Sequence, residues 1–190
     1  MELRKSKLTY ILIFVLLFFS CQEDTDAVKS NNRCSDVSVR LMYSIVESQL
    51  NLLKKTAENL KGVDSATIRD LNYYISDFTN INNQFIIAAG GFVPGYTINL
   101  VDPCRKDDKI VSLARTNSNK LKYKNFVAVL LKAKLLEEGQ DKNLYFIIDS
   151  HFCKENCVFS DSSMVNQTVS EIMLENMILQ ATILDLALNF

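Results

Sequence analysis

The chain has 190 residues, with 21 Lys and Arg against 22 Asp and Glu and a formal net charge of −1. Its basic residues are dispersed, so it lacks the electrostatic footprint of a nucleic-acid-binding protein. Five glycines and two prolines are few for this length, which argues against a many-turned β-sandwich and for a small number of long helices.

Arg4, Lys5 and Lys7 precede an apolar run from Leu8 to Phe19, and the polar, acidic stretch Gln22-Glu23-Asp24-Thr25-Asp26 follows Cys21. A basic start and a short apolar stretch make a secretory signal. The run is about a dozen residues, whereas a membrane-spanning helix needs ~20. An ordinary cleavage site carries small residues, yet Phe18 stands at the −3 position. Leu17-Phe18-Phe19-Ser20-Cys21 instead resembles the lipobox of bacterial lipoproteins. The resemblance implies that residues 1–20 are removed and that the Cys21 thiol receives a diacylglycerol. Acyl chains such as palmitate then hold the protein to a membrane, stably so when there are two or more. Gln22-Glu23-Asp24 resembles the acidic signal of surface-exported lipoproteins of the Bacteroidetes and equally fits a solvated linker. An outer-membrane location is expected, with the periplasmic face and the cell surface both open. Residues 21–34 form a lipidated cysteine with a polar tether, and residues 35–190 are expected to make one domain.

The spacing predicts a first helix from Ser35 to about Lys61, with Leu41 or Met42, Ile45, Leu52 or Leu53, and Leu60 on its apolar face. Gly62 stops it. Asp64 or Ser65 caps a second helix whose Ile68, Leu71, Ile75, Phe78 and Phe85 step by three and four, missing a beat at Asn82, and Gly90-Gly91 ends it. Residues 90–117 read as a long irregular connection, which in a compact domain is either functional or conceals a further element. A third helix is expected from about Ser118 to Glu138, with Phe126, Val127, Leu130, Leu131, Ala133 and Leu135 facing the core. Its Lys120, Lys122, Lys124, Lys132 and Lys134 read as a solvated surface rather than a binding patch. Residues 139–162 form a second long connection, in which Leu144–Ile148 reads as a short strand able to pair with residues 97–101. The last helix begins near Ser162 or Ser163. Val165, Val169, Ile172, Asn176, Leu179, Ile183, Leu186 and Phe190 recur along it at 4-3-4-3 spacing, with Asn176 placed to fix register. A second stripe, Met173, Met177, Ala181, Leu184 and Leu188, widens the apolar arc and makes this helix central. The expected fold is all-α, an antiparallel four-helix bundle with two long connections and a small two-stranded β element as an option.

With Cys21 consumed by lipid, Cys34, Cys104, Cys153 and Cys157 remain, an even number that suggests disulfides in an oxidising compartment. At ~1.5 Å per residue the first helix would be roughly 40 Å long, so no disulfide can join its two ends. In a four-helix up-down order Cys34 and Cys104 share one end, while Cys153 and Cys157 precede the last helix at the other. That order favours the pairs Cys34–Cys104 and Cys153–Cys157. His151 with Cys153 and Cys157 is the one grouping with metal or redox character. Its Cys-x3-Cys spacing is not that of thioredoxins and a fourth ligand is missing, so a local disulfide beside an incidental histidine is favoured. Neither a nucleophile elbow, nor a phosphate loop, nor a dinucleotide fingerprint is present. The sequon Asn166-Gln167-Thr168 is set aside in a bacterial lipoprotein. No catalytic residue, cofactor or metal is therefore expected.

Helix two running into Ala88-Ala89-Gly90-Gly91, Asn119-Lys120-Leu121 near the start of helix three, and Phe159 followed by Met164-Val165-Asn166-Gln167-Thr168-Val169 before a helix with Asn176 and Gln180 form a set of motifs. Through them residues 37–190 resemble the N-terminal periplasmic domain of the gliding-motility protein M family of type 9 secretion machinery. That family has a transmembrane helix where this chain has its lipobox-like stretch, and it continues into β-rich domains. The resemblance implies a helical scaffold in the envelope that contacts other subunits and catalyses nothing. The expected role is thus a lipid-anchored scaffold or protein-interaction component, attached through Cys21 and binding an envelope protein. The alternative is a lipoprotein that binds a small ligand or a metal.

Overall fold

The computed structural model describes residues 34–91, 98–152 and 167–189. Among them the protein is all-α, with six helices and no strand: α1 Asp36–Glu58, α2 Ser65–Ala88, α3 Asp108–Ala114, α4 Asn117–Lys132, α5 Gln140–Phe152 and α6 Val169–Leu188. The helix starts follow local chemistry. Asp64 caps α2 by accepting from the Thr67 amide at 2.9 Å and the Thr67 hydroxyl at 2.6 Å, bonds that hold its carboxyl below the usual range. Asp107 caps α3 and Thr116 caps α4. Thr168 and Glu171 form a capping box at the start of α6.

Both connections that the sequence leaves irregular carry helices. The first holds α3. The second holds α5, so Leu144–Ile148 is helical rather than a strand, and Ile98 and Leu100 are buried without strand pairing. The run Leu144-Tyr145-Phe146-Ile147-Ile148 has strand-like local propensity. Leu144, Ile148 and Phe152, however, are buried while Phe146 is exposed; a strand would put Phe146 on the same face as Leu144 and Ile148, and a helix turns it away.

The ends of α2 and α4 share one geometry with different residues. After α2, Gly90 lies at φ +82°, its amide donates to Ile87 O and the Gly91 amide to Ile86 O at 2.8 Å. After α4, Lys134 takes the left-handed position at φ 59°, donating to Leu131 O, and the Leu135 amide donates to Leu130 O. Both are Schellman turns. Because the second lacks glycine and buries Leu135 and Leu136 beyond it, the apolar pattern runs on to Glu138 although the helix stops at Lys132.

The five long helices alternate in direction. Tyr43 near the start of α1 donates to Asn83 near the end of α2 at 2.8 Å. Phe78 packs on Tyr123 and Tyr74 on Phe126, setting α4 antiparallel to α2. Tyr123 meets Phe152, which sets α5 antiparallel to α4. α6 then runs parallel to α1, and the two share the largest interface of the bundle. Eleven residues of α6 are buried, from Val169 to Ala187, so it is the central helix. On α1 the buried face is Val39, Tyr43, Val46, Leu50, Leu53 and Ala57, whereas Leu41 and Leu52 are exposed. Of the expected alternatives Leu53 is buried and Met42 and Leu60 pack against the core, so the structure chooses between arcs that the periodicity left open.

The added helix changes which end of the bundle the later cysteines fall at. With α5 added, the end of α5 and the start of α6 lie at the end of the bundle that holds Cys34 and Cys104. Helix order thus no longer separates Cys34 from the segment containing Cys153 and Cys157, which, like Cys21, lies outside the described residues.

The two Schellman turns make opposite predictions. Lys134→Gly relieves a left-handed non-glycine residue and is expected to raise stability by roughly 0.5–1 kcal/mol. Gly90→Ala is expected to lower it by more than about 1 kcal/mol, since the added Cβ would also sit 2.8 Å from Val101 Cγ2. Urea midpoints of the two variants check both signs.

Candidate functional site

Three polar constructions stand out from an otherwise apolar interior. The deepest joins three helices. Asn82 donates to Gln180 Oε1 at 2.8 Å, Gln180 donates back to Asn82 Oδ1 at 2.9 Å, and Gln180 Nε2 also donates to the Tyr123 hydroxyl at 3.1 Å. All three side chains are buried, and burial pushes the Tyr123 phenol far above its ordinary value, so the network is neutral. This pair, rather than Asn176, sets register between helices. Asn176 is buried too, but its amide donates to Ile172 O one turn back at 3.0 Å. The missed beat at Asn82 was the signal for this contact. Gln180 carried none, since a lone glutamine on a helix has no distinctive spacing.

The second construction is centred on Arg115, whose side chain is 1 % exposed. Its Nη1 donates to His151 O at 3.0 Å, and its Nη2 donates to Gln167 Oε1 at 3.0 Å and forms a short ion pair with Glu175. Gln167 Nε2 in turn donates to Glu175 Oε1 at 2.8 Å. One guanidinium thereby ties the C-cap of α3, the last turn of α5 and the second turn of α6. Its planar fork suits this, whereas an ammonium would act as a point charge. His151 contributes its carbonyl here, and its ring meets Phe152 edge-on at 4.9 Å. No group of three or more His, Cys, Asp or Glu side chains suited to a metal occurs among the described residues.

The third lies at the end of the bundle where α1 begins. The amides of Val169 and Ser170 donate to Arg105 O at 2.9 Å and Pro103 O at 3.1 Å. The Arg105 guanidinium donates to Ala88 O at 2.6 Å and pairs with Asp107 at 3.2 Å. Residues 102–107 are thus a clip between the end of α2 and the start of α6. Within it the Cys104 amide donates to Asp102 Oδ1 at 3.0 Å, and the Cys104 thiol stands 3.8 Å from Cys34 O. Both cysteines are free thiols here. Of the four expected disulfide residues, Cys34 and Cys104 are described and lie together, while Cys153 and Cys157 lie outside the described residues.

The lysines of α4 are largely engaged. Lys120 and Lys124 both reach Asp149, at 2.9 and 2.8 Å, and Lys122 reaches Asp77 at 2.8 Å. Hydrogen bonds from Lys124, then Lys120, hold the Asp149 carboxyl below the usual range. The expected solvated surface thus carries ion pairs to α5 and α2 at Lys120, Lys122 and Lys124. A shallow cleft of about 200 Å³ lies between α2, α3 and α4, lined by Ile81, Gln84, Leu113 and Lys122 among others. It is smaller than the ~300–1,000 Å³ of ordinary small-molecule sites. No helix among the described residues is long and apolar enough to cross a membrane.

Comparison with protein-family models, with curated proteins and with solved structures returned no significant match.

Two substitutions test the interior. Arg115→Met is expected to cost about 1–3 kcal/mol, because it strands the His151 carbonyl while Glu175, 32 % exposed, stays open to water, with Arg115→Lys recovering only part of it. Gln180→Met strands the Asn82 amide and is expected to cost about 1–3 kcal/mol. The double variant with Asn82→Leu should regain a measurable share of that loss. Chemical denaturation of the four proteins gives each value.

Proposed function

We propose that this protein is a lipid-anchored component of a bacterial cell envelope, a scaffold or protein-interaction module rather than an enzyme, linked to gliding or type 9 secretion machinery. The observation that carries the anchor is the apolar run ending in Leu17-Phe18-Phe19-Ser20-Cys21, with acidic residues directly after the cysteine. Two acyl chains on one cysteine give stable attachment at about 0.8 kcal/mol per buried methylene. The scaffold reading draws support from a bundle whose interior is filled by its own side chains, and from large apolar side chains on its outside. Phe146 is 73 % exposed and Val101 77 %, with Leu41 and Tyr73 also largely in solvent. Such residues supply aromatic and aliphatic anchors for a protein partner. The link to gliding or secretion machinery rests on the motif resemblance alone.

Two measurements on one pair of strains test this reading. Radiolabelled palmitate is expected in the wild-type protein and not in Cys21→Ser, and the wild type should partition with outer membranes. Cross-linking in intact cells should then recover defined envelope subunits with the wild type and lose them with Cys21→Ser. Unlabelled, soluble wild type would sink the anchor. A labelled protein that cross-links to no envelope subunit would sink the scaffold and leave the anchor standing.

A further inference from the structure

The start of α1 is fastened more weakly than its counterparts. The side chains of Asp64, Asp107, Thr116 and Thr168 cap α2, α3, α4 and α6. Ser35, at the N-cap of α1, makes no side-chain cap bond, and the Val39 amide reaches Ser35 O only at 3.5 Å. Cys34 stands directly before that uncapped residue. Seventy residues along the chain, Cys104 sits between Pro103 and Arg105, whose carbonyls hold the first amides of α6. The Asp102 carboxylate fixes the Cys104 backbone, and the exposed Cys104 thiol faces Cys34.

We propose that Cys34 and Cys104 form a reversible, solvent-facing disulfide that fastens the entry of α1 to the clip joining α2 and α6. In the balanced step both thiols give up a proton, a sulfur–sulfur bond forms, and two electrons pass to the disulfide of an oxidant, which becomes a pair of thiols. Cys104, the more exposed sulfur, first forms a mixed disulfide with the oxidant. Cys34 then attacks the Cys104 sulfur and expels the oxidant's thiolate. The hydrogen bond to Cys34, with some burial, pushes the Cys104 thiol up to about 11, so the first step accelerates as pH rises through neutrality. An exposed bond of this kind is also open to reductants, which makes the attachment of α1 responsive to the redox state around the protein. Meeting the oxidant in the cell rests on the export reading above. The bond itself does not, and the experiment is done in defined redox buffer.

The purified protein is equilibrated with oxidised and reduced glutathione, its cysteines are mapped by mass spectrometry without reduction, and melting is followed in both states. A peptide pair linked through Cys34 and Cys104 is expected, with the oxidised form melting at least about 5 °C above the reduced form. The gap should vanish in Cys34→Ser and in Cys104→Ser and persist in the double variant Cys153→Ser/Cys157→Ser. Reduced Cys104→Ser melting close to reduced wild type shows that the variant folds. Cys34 linked to Cys153 or Cys157, a lasting glutathione adduct on Cys104, or equal melting of the two forms would overturn the proposal.

Discussion

Everything in this bundle is arranged around the need to cover α6. A helix that buries eleven of its residues cannot be satisfied by one neighbour, because a single packed helix covers little more than a stripe. α1 takes the largest share, running parallel to it, α3 and α5 close other sides, and α2 reaches it through the Asn82–Gln180 pair. Parallel neighbours in one chain need intervening helices to reverse direction. The helix α5, in the connection after α4, supplies the reversal that lets α6 run parallel to α1.

An apolar interior of this size leaves register underdetermined, since leucine, methionine and isoleucine pack acceptably in many offsets. The Asn82–Gln180–Tyr123 network removes that freedom. Sliding α6 by one turn against α2 would strand two amides away from water, at a cost of about 1–3 kcal/mol for each orphaned group. Arg115 does the same at the edge of the core, where its fork spans three elements and satisfies a carbonyl that ends α5. The clip at 102–107 works at the same end of the bundle, pairing carbonyls of a loop with amides of α6 and an arginine with a carbonyl of α2.

The readings that failed share a cause. On α1 the exposed Leu41 and Leu52 are as apolar as the buried Val39 and Leu53, so periodicity could not choose the face. In α5 a run of aromatic and branched residues has strand propensity, and burial against α4 overrode it. Past Lys132, Leu135 and Leu136 extend the apolar pattern while the backbone has already turned through Lys134. Each failure lies where local preference and tertiary burial pull apart. Where they agree, as at Asp64 and Gly90, the boundaries are legible at once, and the row of α6 from Val169 to Ile183 gives its core, although the helix starts at Val169 behind the Thr168 cap and not near Ser162 or Ser163.

Of the candidate site residues, Asn82 announced itself as a gap in an apolar seam, and Cys34 and Cys104 as members of an even set. Gln180 and Arg115 were silent, because one polar residue in a helix and one arginine beside a short helix have no pattern of their own. The helical class and the central place of the last helix were legible along the chain, since these depend on composition and on the period of its apolar residues. Only the packed bundle shows that five long helices alternate, that Gln180 answers Asn82, and that Arg115 joins α3, α5 and α6. Those facts depend on which distant surfaces are brought together, and a one-dimensional pattern carries no term for contact between residues seventy or a hundred positions apart.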